Sequence, residues 1–410
     1  MVDRFTHDVI ISGAGLVGLA LAIACAQTGL KVALIEQQER VPFDPDSDQF
    51  SPRVSAINLA SERLLSNLGV WQRLPAARLS AYDAMSVWDG LGQGRIDFAA
   101  HAVEQRQLGH IIENPALIEA LWQRAQELTD IELCWPDRIS DWQQNGEQVT
   151  VHTEGGRLLI AQSLVASEGK HSALRQQAEI DSWQWPYHHT AIVTTVRHEI
   201  AHQRRAQQVF LPTGPLAFLP LRNATSHQQH SSIVWSVKTD QAAGLLDLSD
   251  DGFARALEQA FEHRLGRIEQ LSARQSFPLS AQQAKTYFNQ RVVILGDSAH
   301  SIHPLAGLGA NLGLLDAATL AETWQQARQQ GMDLGHSFVL RRFQRQRQGH
   351  NLAMAGLMEG LKRLFDSQAV LPVLLRNTGL RAFNASPLAK RPLILAALGQ
   401  IGPDLPHLCR

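Results

Sequence analysis

Two groups of residues in this chain have the types and spacing to do chemistry. Gly13, Gly15 and Gly18 form a G-x-G-x-x-G set between the apolar run "DVIIS" and a long helical run. The first glycine of such a set permits a tight turn and the second lets a diphosphate approach the backbone. The third lets the helix pack closely on the strand. Leu16, Val17 and Gly18 open the helix, so their free N–H groups and the positive dipole end face an anion. Glu36 closes the next strand-like run, "LKVALIE", 18 residues after Gly18. A carboxylate there accepts hydrogen bonds from a ribose diol, which favours FAD or NAD over a 2′-phosphorylated nucleotide. No second G-x-G-x-x-G occurs, which argues against a reductase built from two such domains.

The second group is Asp297, His300 and His303 in "LGDSAHSIHPLAGLGANLG", residues 295–313. An acid and two histidines are ligand types of zinc and non-haem iron sites. Pro304 directly follows His303 and would end a helix there, and no further strong ligand pair stands nearby, so no metal is expected. A plain structural loop with capping or solvated histidines is a second reading. The third is a second contact to the cofactor. Gly296 and Asp297 follow the strand-like "VVIL", where the carboxylate could bind hydroxyls of a ribityl chain. Gly307, Leu308, Gly309, Ala310 and Asn311 then open a long helix. Its first N–H groups would stabilise negative charge at the N1/O2 edge of a reduced flavin.

These residues need elements to hold them. Residues 8–36 read as a strand, a glycine turn with its helix, and a second strand, a βαβ unit. Helical patterns cover 56–68 and 114–128, and strands are expected near 83–88, 95–99 and 108–112. A meander over 146–167 leads to a short helix at 171–178. From about 183 to 280, runs such as "TAIVTTVRH", "AQQVFLP", "GPLAFLPL" and "SSIVWSV" predict an antiparallel sheet with one inserted helix at 252–263. "RVVILGDSAH" then restores the parallel-strand signature, and helices fill most of 309–366. The tail, 368–410, is apolar with Arg376, Arg381, Lys390 and Arg391 spaced through it.

Composition bounds the function classes. A chain of 410 residues suggests two or three domains, and a net charge of −2 gives no footprint for nucleic acid. Three widely separated cysteines, Cys25, Cys134 and Cys409, argue for a reducing compartment and against a disulfide framework. The start "MVDRFTHDVIISGAG" has no apolar region followed by a cleavage site and reads as a mature cytoplasmic N-terminus. No apolar run reaches the roughly 18–20 residues that span a bilayer, so any membrane contact is expected to be peripheral.

"GAGLVG…LIE", "RVSAINLAS", "GHIIENPALIEALW", "GPLAFLPL", "SIVWSV", "LGDSAHSIHPLAGLGANLGLLDAATL" and "LLRNTGL" run along nearly the whole chain. Together they resemble the single-component FAD aromatic hydroxylases of ubiquinone biosynthesis. These are para-hydroxybenzoate hydroxylase-like class A flavoprotein monooxygenases; the UbiI/VisC type looks nearest, with UbiH and UbiF types as relatives. The resemblance implies an α/β fold: a Rossmann-like FAD/NAD(P)-binding domain interleaved with an antiparallel β-sheet substrate domain, followed by a helical C-terminal region. The expected boundaries are 1–78, 108–182 and 285–335 for the FAD domain, 79–107 and 183–284 for the sheet domain, and 336–410 for the tail.

By resemblance, Gly13, Gly15, Gly18 and Glu36 hold the ADP half of FAD and Asp297 the ribityl chain, with Pro304 and the Gly307–Asn311 loop flanking the ring. Arg53 matches an arginine beside the cofactor, though a surface ion pair would also explain it. Asn114 matches a polar position on the flavin side and would equally serve as a helix N-cap before Pro115. Phe218, Leu219 and Trp235 are candidate pocket walls, with plain core packing as the competing reading. His303 is a weak candidate to assist phenol deprotonation, a structural histidine being the simpler view.

The implied chemistry is reduction of FAD by NAD(P)H, addition of O₂ at flavin C4a to give a hydroperoxide, and ring hydroxylation of a polyprenylphenol, at C5 of 2-polyprenylphenol for the UbiI/VisC type. The long prenyl tail suggests that the C-terminal region rests on a membrane face; helix packing or a homo-oligomer interface would explain it as well. Two segments depart from the family. Within 295–313, Ser298, Leu308 and Ala310 stand where Ala, Gln and Val are usual, though the backbone N–H groups a flavin would use are untouched. In the other, the usual G-A-D-G-A-N-S stands here as "ASEGKHS", residues 166–172. That departure raises an alternative, an FAD-bound but non-hydroxylating subunit of a ubiquinone-making assembly, beside a flavin hydroxylase for another aromatic.

Overall fold

A computed structural model of the chain describes residues 5–223, 228–302, 307–367, 369–400 and 405–410; His303 and Pro304 lie outside the described residues. Its α-helices are α1 (Leu16–Gln27), α2 (Leu59–Asn67), α3 (Asn114–Gln126), α4 (Ala173–Gln177), α5 (Thr239–Leu246), α6 (Asp250–Ala260), α7 (Leu308–Gln329), α8 (Ser337–Asp366), α9 (Val370–Ala385) and α10 (Pro387–Ala397).

"VIIS" is a strand buried on both faces, as the interior of a parallel sheet requires. Six strands lie in the order Phe288–Asn289, Val292–Ile294, Ser163–Ala166, Val9–Ser12, Val32–Ile35, Ile131–Cys134. Only the edge pair Phe288–Asn289 with Val292–Ile294 is antiparallel. Packed between this sheet, α3 and α7, helix α1 is buried from Gly18 to Ala26. A helix covered all round needs no polar stripe, and "LVGLALAIACA" has none.

A second, larger sheet runs His300–Ser301, Gln275–Ala284, Ser182–His198, His230–Lys238, Gly214–Leu221, Arg205–Leu211, Ala84–Asp89, Arg95–Ala99. It is antiparallel except where Arg205–Leu211 meets Ala84–Asp89 in parallel. Side chains alternate between its faces. Phe218, opposite Ile233, points to a core shared with Trp235, Phe253, Leu257 and Phe261, while Leu219, opposite Ser232, points the other way. Leu219 and Leu221 meet Phe50, Val54, Ala56 and Ile111 there.

Two expectations need correction. The helix expected at 56–68 is a strand, Val54–Asn58, paired with Gly109–Glu113, followed by α2, which Asn58 caps by accepting the Ser61 N–H at 3.0 Å. Long-range pairing overrode a helical pattern that fitted the segment equally well. The one helix expected in the sheet region, at 252–263, is α6, which Ser249 caps; a second helix that was not expected, α5, precedes it.

Buried histidines give the large sheet a pH response. His202 Nδ1 accepts the Arg204 N–H at 3.0 Å, so its proton sits on Nε2, toward the Leu221 carbonyl at 3.2 Å. His198 bonds the Ile200 carbonyl and the Ser231 hydroxyl. Burial lowers both pKa values to about 4, against weaker opposition from those backbone bonds. Between about pH 6.5 and 4 the unfolded chain therefore binds more protons than the folded one. The stability these neutral rings provide is fully present above about 6.5 and falls as pH drops toward 4. Urea midpoints over that range should fall less steeply for His202→Gln, whose amide can still reach Leu221; identical slopes would refute the assignment.

Candidate cofactor site

Two glycines are demanded by close approach. At Gly13 (φ +100°) a Cβ would lie 2.6 Å from the Ser167 carbonyl oxygen, and at Gly18 it would overlap the Gly13 carbonyl. Gly15 is different: a Cβ there meets nothing within 4 Å. It is the N-cap of α1, with no side-chain cap and no acid in the first turn. The N–H groups of Leu16, Val17 and Gly18 are thus left for an anion at the positive end of the helix. Glu36 accepts the Ala14 N–H at 2.8 Å on one oxygen and the Gln38 N–H at 2.7 Å on the other, which leaves lone pairs for a diol. A cleft of ≈ 570 Å³ opens here, lined by Ala14, Gly15, Glu36, Arg40, Trp122 and Trp135, a volume suited to a nucleoside.

The start of α7 converges on the start of α1. Val17 packs on Gly296, and a methyl group on Gly313 would stand 2.6 Å from Val17 Cγ2. Helix α7 also begins without a side-chain cap or an acid in its first turn, and a Cβ on Gly309 would meet open space. Asn311 does not face that space. Its Oδ1 accepts the Asn58 N–H at 3.0 Å, and its Nδ2 donates to the carbonyls of Ala56 at 2.7 Å and Gly307 at 3.2 Å. It pins the helix start to the strand Val54–Asn58. Leu308 enters an apolar cluster with Phe210, Met358 and Phe365, and Ala310 is half-buried beside it.

Asp297 is an exposed residue just past the end of the strand Val292–Ile294, beside the start of α7. Desolvation by the protein around it raises its pKa, and His300, Arg53 and Lys170 pull the other way. Arg53 is exposed, with its guanidinium 5.6 Å above the Phe277 ring. Asn114 is not the N-cap of α3, which is Glu113; its Oδ1 accepts the Ser55 hydroxyl at 2.7 Å instead. The strand Val54–Asn58 had the first claim on that side chain. Phe218 and Trp235 are not pocket walls: they lie in the core against Phe253 and Phe261, on the face of the sheet turned from Leu219. Leu219 alone of the three faces the cofactor half.

Beneath Gly296 and Asp297 is a buried charge network that motif reading missed. Asp316 Oδ2 lies 2.5 Å from His300 Nε2 and accepts the Gly296 N–H at 3.1 Å. Asp316 Oδ1 accepts from Arg347 Nε at 2.7 Å and Asn351 Nδ2 at 3.1 Å, and Asn351 also reaches the Tyr287 hydroxyl. Desolvation alone would raise the Asp316 pKa, but His300 and Arg347 outweigh it and hold the carboxyl far below its usual range. The one available signal was an acid inside the apolar run "NLGLLDAATL". His300 is thereby a partner of Asp316, and no group of three or more metal-ligand side chains occurs among the described residues.

The unusual segment 166–172 is built into the same turn. Glu168 accepts from Ser12 Oγ at 2.5 Å, Ser172 Oγ at 2.7 Å and the Leu174 N–H at 3.2 Å, so the carboxylate ties the first strand to α4. Lys170 donates to the Ser280 carbonyl at 3.0 Å, and Ser298 Oγ donates to the Gly169 carbonyl. Two uncapped helix starts, a diol acceptor, a nucleoside-sized cleft and an exposed acid between the helix starts together fit an extended dinucleotide such as FAD.

Comparison with known proteins agrees. The "FAD binding domain" family model matches residues 6–333. Mitochondrial ubiquinone biosynthesis monooxygenase COQ6 of Xenopus tropicalis is 34% identical, over 95% of this chain and 93% of its own. Ubiquinone hydroxylase UbiL of Rhodospirillum rubrum is 34% identical over 98% and 92%. The chain belongs to the FAD-dependent monooxygenases of ubiquinone biosynthesis. 3-Demethoxyubiquinol 3-hydroxylase of Escherichia coli, 32% identical over 96% of this chain and 98% of its own, is a further relative of this monooxygenase. Its fold is that of p-nitrophenol 4-monooxygenase PnpA from Pseudomonas putida, with a TM-score of 0.77 at 19% identity over 95% of this chain and 98% of that one.

Proposed function

We propose that this monooxygenase hydroxylates the aromatic ring of a polyprenylphenol during ubiquinone biosynthesis, using NAD(P)H and O₂, and that C5 of 2-polyprenylphenol is the position. The likeness to ubiquinone hydroxylases along almost the entire length of both chains carries this reading. Bound FAD supplies the redox chemistry that places one oxygen atom of O₂ on the ring. The protein's part is position and dryness. The α1 amides would hold the diphosphate, Glu36 the ribose, and Asp297 the ribityl hydroxyls. The first amides of α7 would stabilise charge at the ring edge. Ile302 and Leu308, half-buried on a core of Phe210, Met358 and Phe365, give that helix start an apolar wall suited to a prenyl arm and to keeping water out.

Purified protein should be yellow and should oxidise NAD(P)H faster when given a prenylphenol. A strain lacking the gene should accumulate 2-polyprenylphenol by mass spectrometry and clear it on re-expression. Accumulation of a precursor already hydroxylated at C5 would move the enzyme to a later ring position. Bound FAD without any substrate-dependent oxidation would favour the non-hydroxylating subunit. Asp297→Ala should weaken FAD binding roughly tenfold, the worth of one charge-assisted contact, read by flavin fluorescence; unchanged affinity would remove Asp297 from the site.

A further inference from the structure

Helix α9 is built inside out. Leu371, Leu374 and Leu375 are 64%, 61% and 63% exposed and fall at i, i+3 and i+4 on one stripe, which Thr378, Ala382 and Ala385 continue. On the opposite face Arg376, Asn377 and Asn384 point into the protein. Arg376 is buried on Asp89, with Nε 2.8 Å from Oδ2, and also caps the end of α8 through the carbonyls of Leu364, Phe365 and Ser367. Asn377 Nδ2 reaches the same Asp89 at 2.7 Å, and its Oδ1 accepts the Gly94 N–H. A buried ion pair therefore fixes which way α9 faces, and that way is leucines outward. Helix α10 continues the surface with Leu388, 88% exposed, while Ile394 and Leu398 pack inward.

This apolar surface carries one sign of charge. No Asp or Glu occurs between Asp366 and Asp404; of the four cations there Arg376 is neutralised by buried Asp89, which leaves Arg381, Lys390 and Arg391 without an acid in the stretch. Arg381 and Arg391 are exposed at the edges of the leucine faces. We propose that the α9–α10 face docks on an anionic lipid surface, leucines entering the acyl boundary and arginines meeting head groups. A second copy seated face to face would bring cation against cation. The idea rests in part on the proposed substrate. Leu380, on the inner side of α9, joins the cluster of Phe210, Leu308 and Met358, so the docked helix adjoins the wall assigned to the prenyl arm.

The test is co-sedimentation of the full-length, FAD-loaded protein with vesicles of phosphatidylcholine alone or mixed with phosphatidylglycerol. Binding to the mixed vesicles is expected, weaker by roughly tenfold or more on neutral ones and falling with salt. The triple variant Leu371→Gln, Leu374→Gln, Leu375→Gln should bind roughly tenfold more weakly, as should the pair Arg381→Gln, Arg391→Gln. All these positions are exposed, so FAD content and thermal midpoint should stay at wild-type values. No binding, equal binding to neutral vesicles, or equal binding by the leucine variant would overturn the proposal. Lipid-free self-association abolished by the leucine variant would overturn it too and give the face to a second copy. Vesicle binding is read without substrate. Failure of the hydroxylase reading would instead appear as no turnover of a short-chain, water-soluble prenylphenol by wild type and variants alike.

Discussion

Gly15→Asp is expected to leave the cofactor-free fold intact and to abolish FAD binding. Gly15 has φ −74° and ψ −174°, which any residue adopts, and a side chain there enters open space. As the N-cap of α1, aspartate would even stabilise the helix by roughly a few tenths of a kcal/mol, its carboxylate accepting the N–H groups now left free. Those same N–H groups are the proposed diphosphate contacts, and the new charge repels the ligand. The dissociation constant for FAD should rise at least ~100-fold, about 3 kcal/mol, with the thermal midpoint of the cofactor-free protein unchanged or raised. Gly18→Ala makes the contrast. Its methyl group overlaps the Gly13 carbonyl, so fold stability and FAD affinity should fall together, stability by ~1–3 kcal/mol or more. If Gly15→Asp bound FAD within a few-fold of wild type, the diphosphate would lie elsewhere.

Asp316→Ala should be among the most destabilising single substitutions in the chain. The carboxylate is 0% exposed and compensates Arg347 on one oxygen, with the Gly296 N–H and His300 against the other. Removing it leaves a buried guanidinium without its counter-charge, which costs ~3–5 kcal/mol in such settings. Urea unfolding of the cofactor-free protein should show that loss. Affinity for FAD should also fall, because Gly296 and His300 flank Asp297 and lose their common anchor. Replacing both partners, Asp316→Leu with Arg347→Met, should recover part of the stability, since no charge is then orphaned. A loss below ~1 kcal/mol for Asp316→Ala, or an additive double variant, would show that the network is not what holds the turn.

Local signals in the sequence were enough for part of this. The glycine turn with its strand, helix and Glu36 is legible because each role depends on neighbours within about 25 residues. Asp297 and the 307–311 loop were legible for the same reason, as a strand end followed by a helix start. Asn114 and Asn311 show where local reading stops. Both are polar residues at helix starts, yet Asn114 serves Ser55, 59 residues away, and Asn311 serves Ala56 and Asn58, over 250 residues away.

By itself the sequence determined most of the element types, the dinucleotide turn, the family and the chemistry that the family performs. The fold alone decided which side of each element matters. "GPLAFLPL" alternates two apolar sets, and nothing within it says that Phe218 meets α6 while Leu219 meets the cofactor half; that depends on which layer covers which face of the sheet. The Asp316 network joins residues up to 64 positions apart in sequence, and the outward turn of the α9 leucines depends on Asp89, 287 residues before Arg376. Side-chain direction, unlike periodicity, is set by distant partners, so only the assembled tertiary structure could settle it.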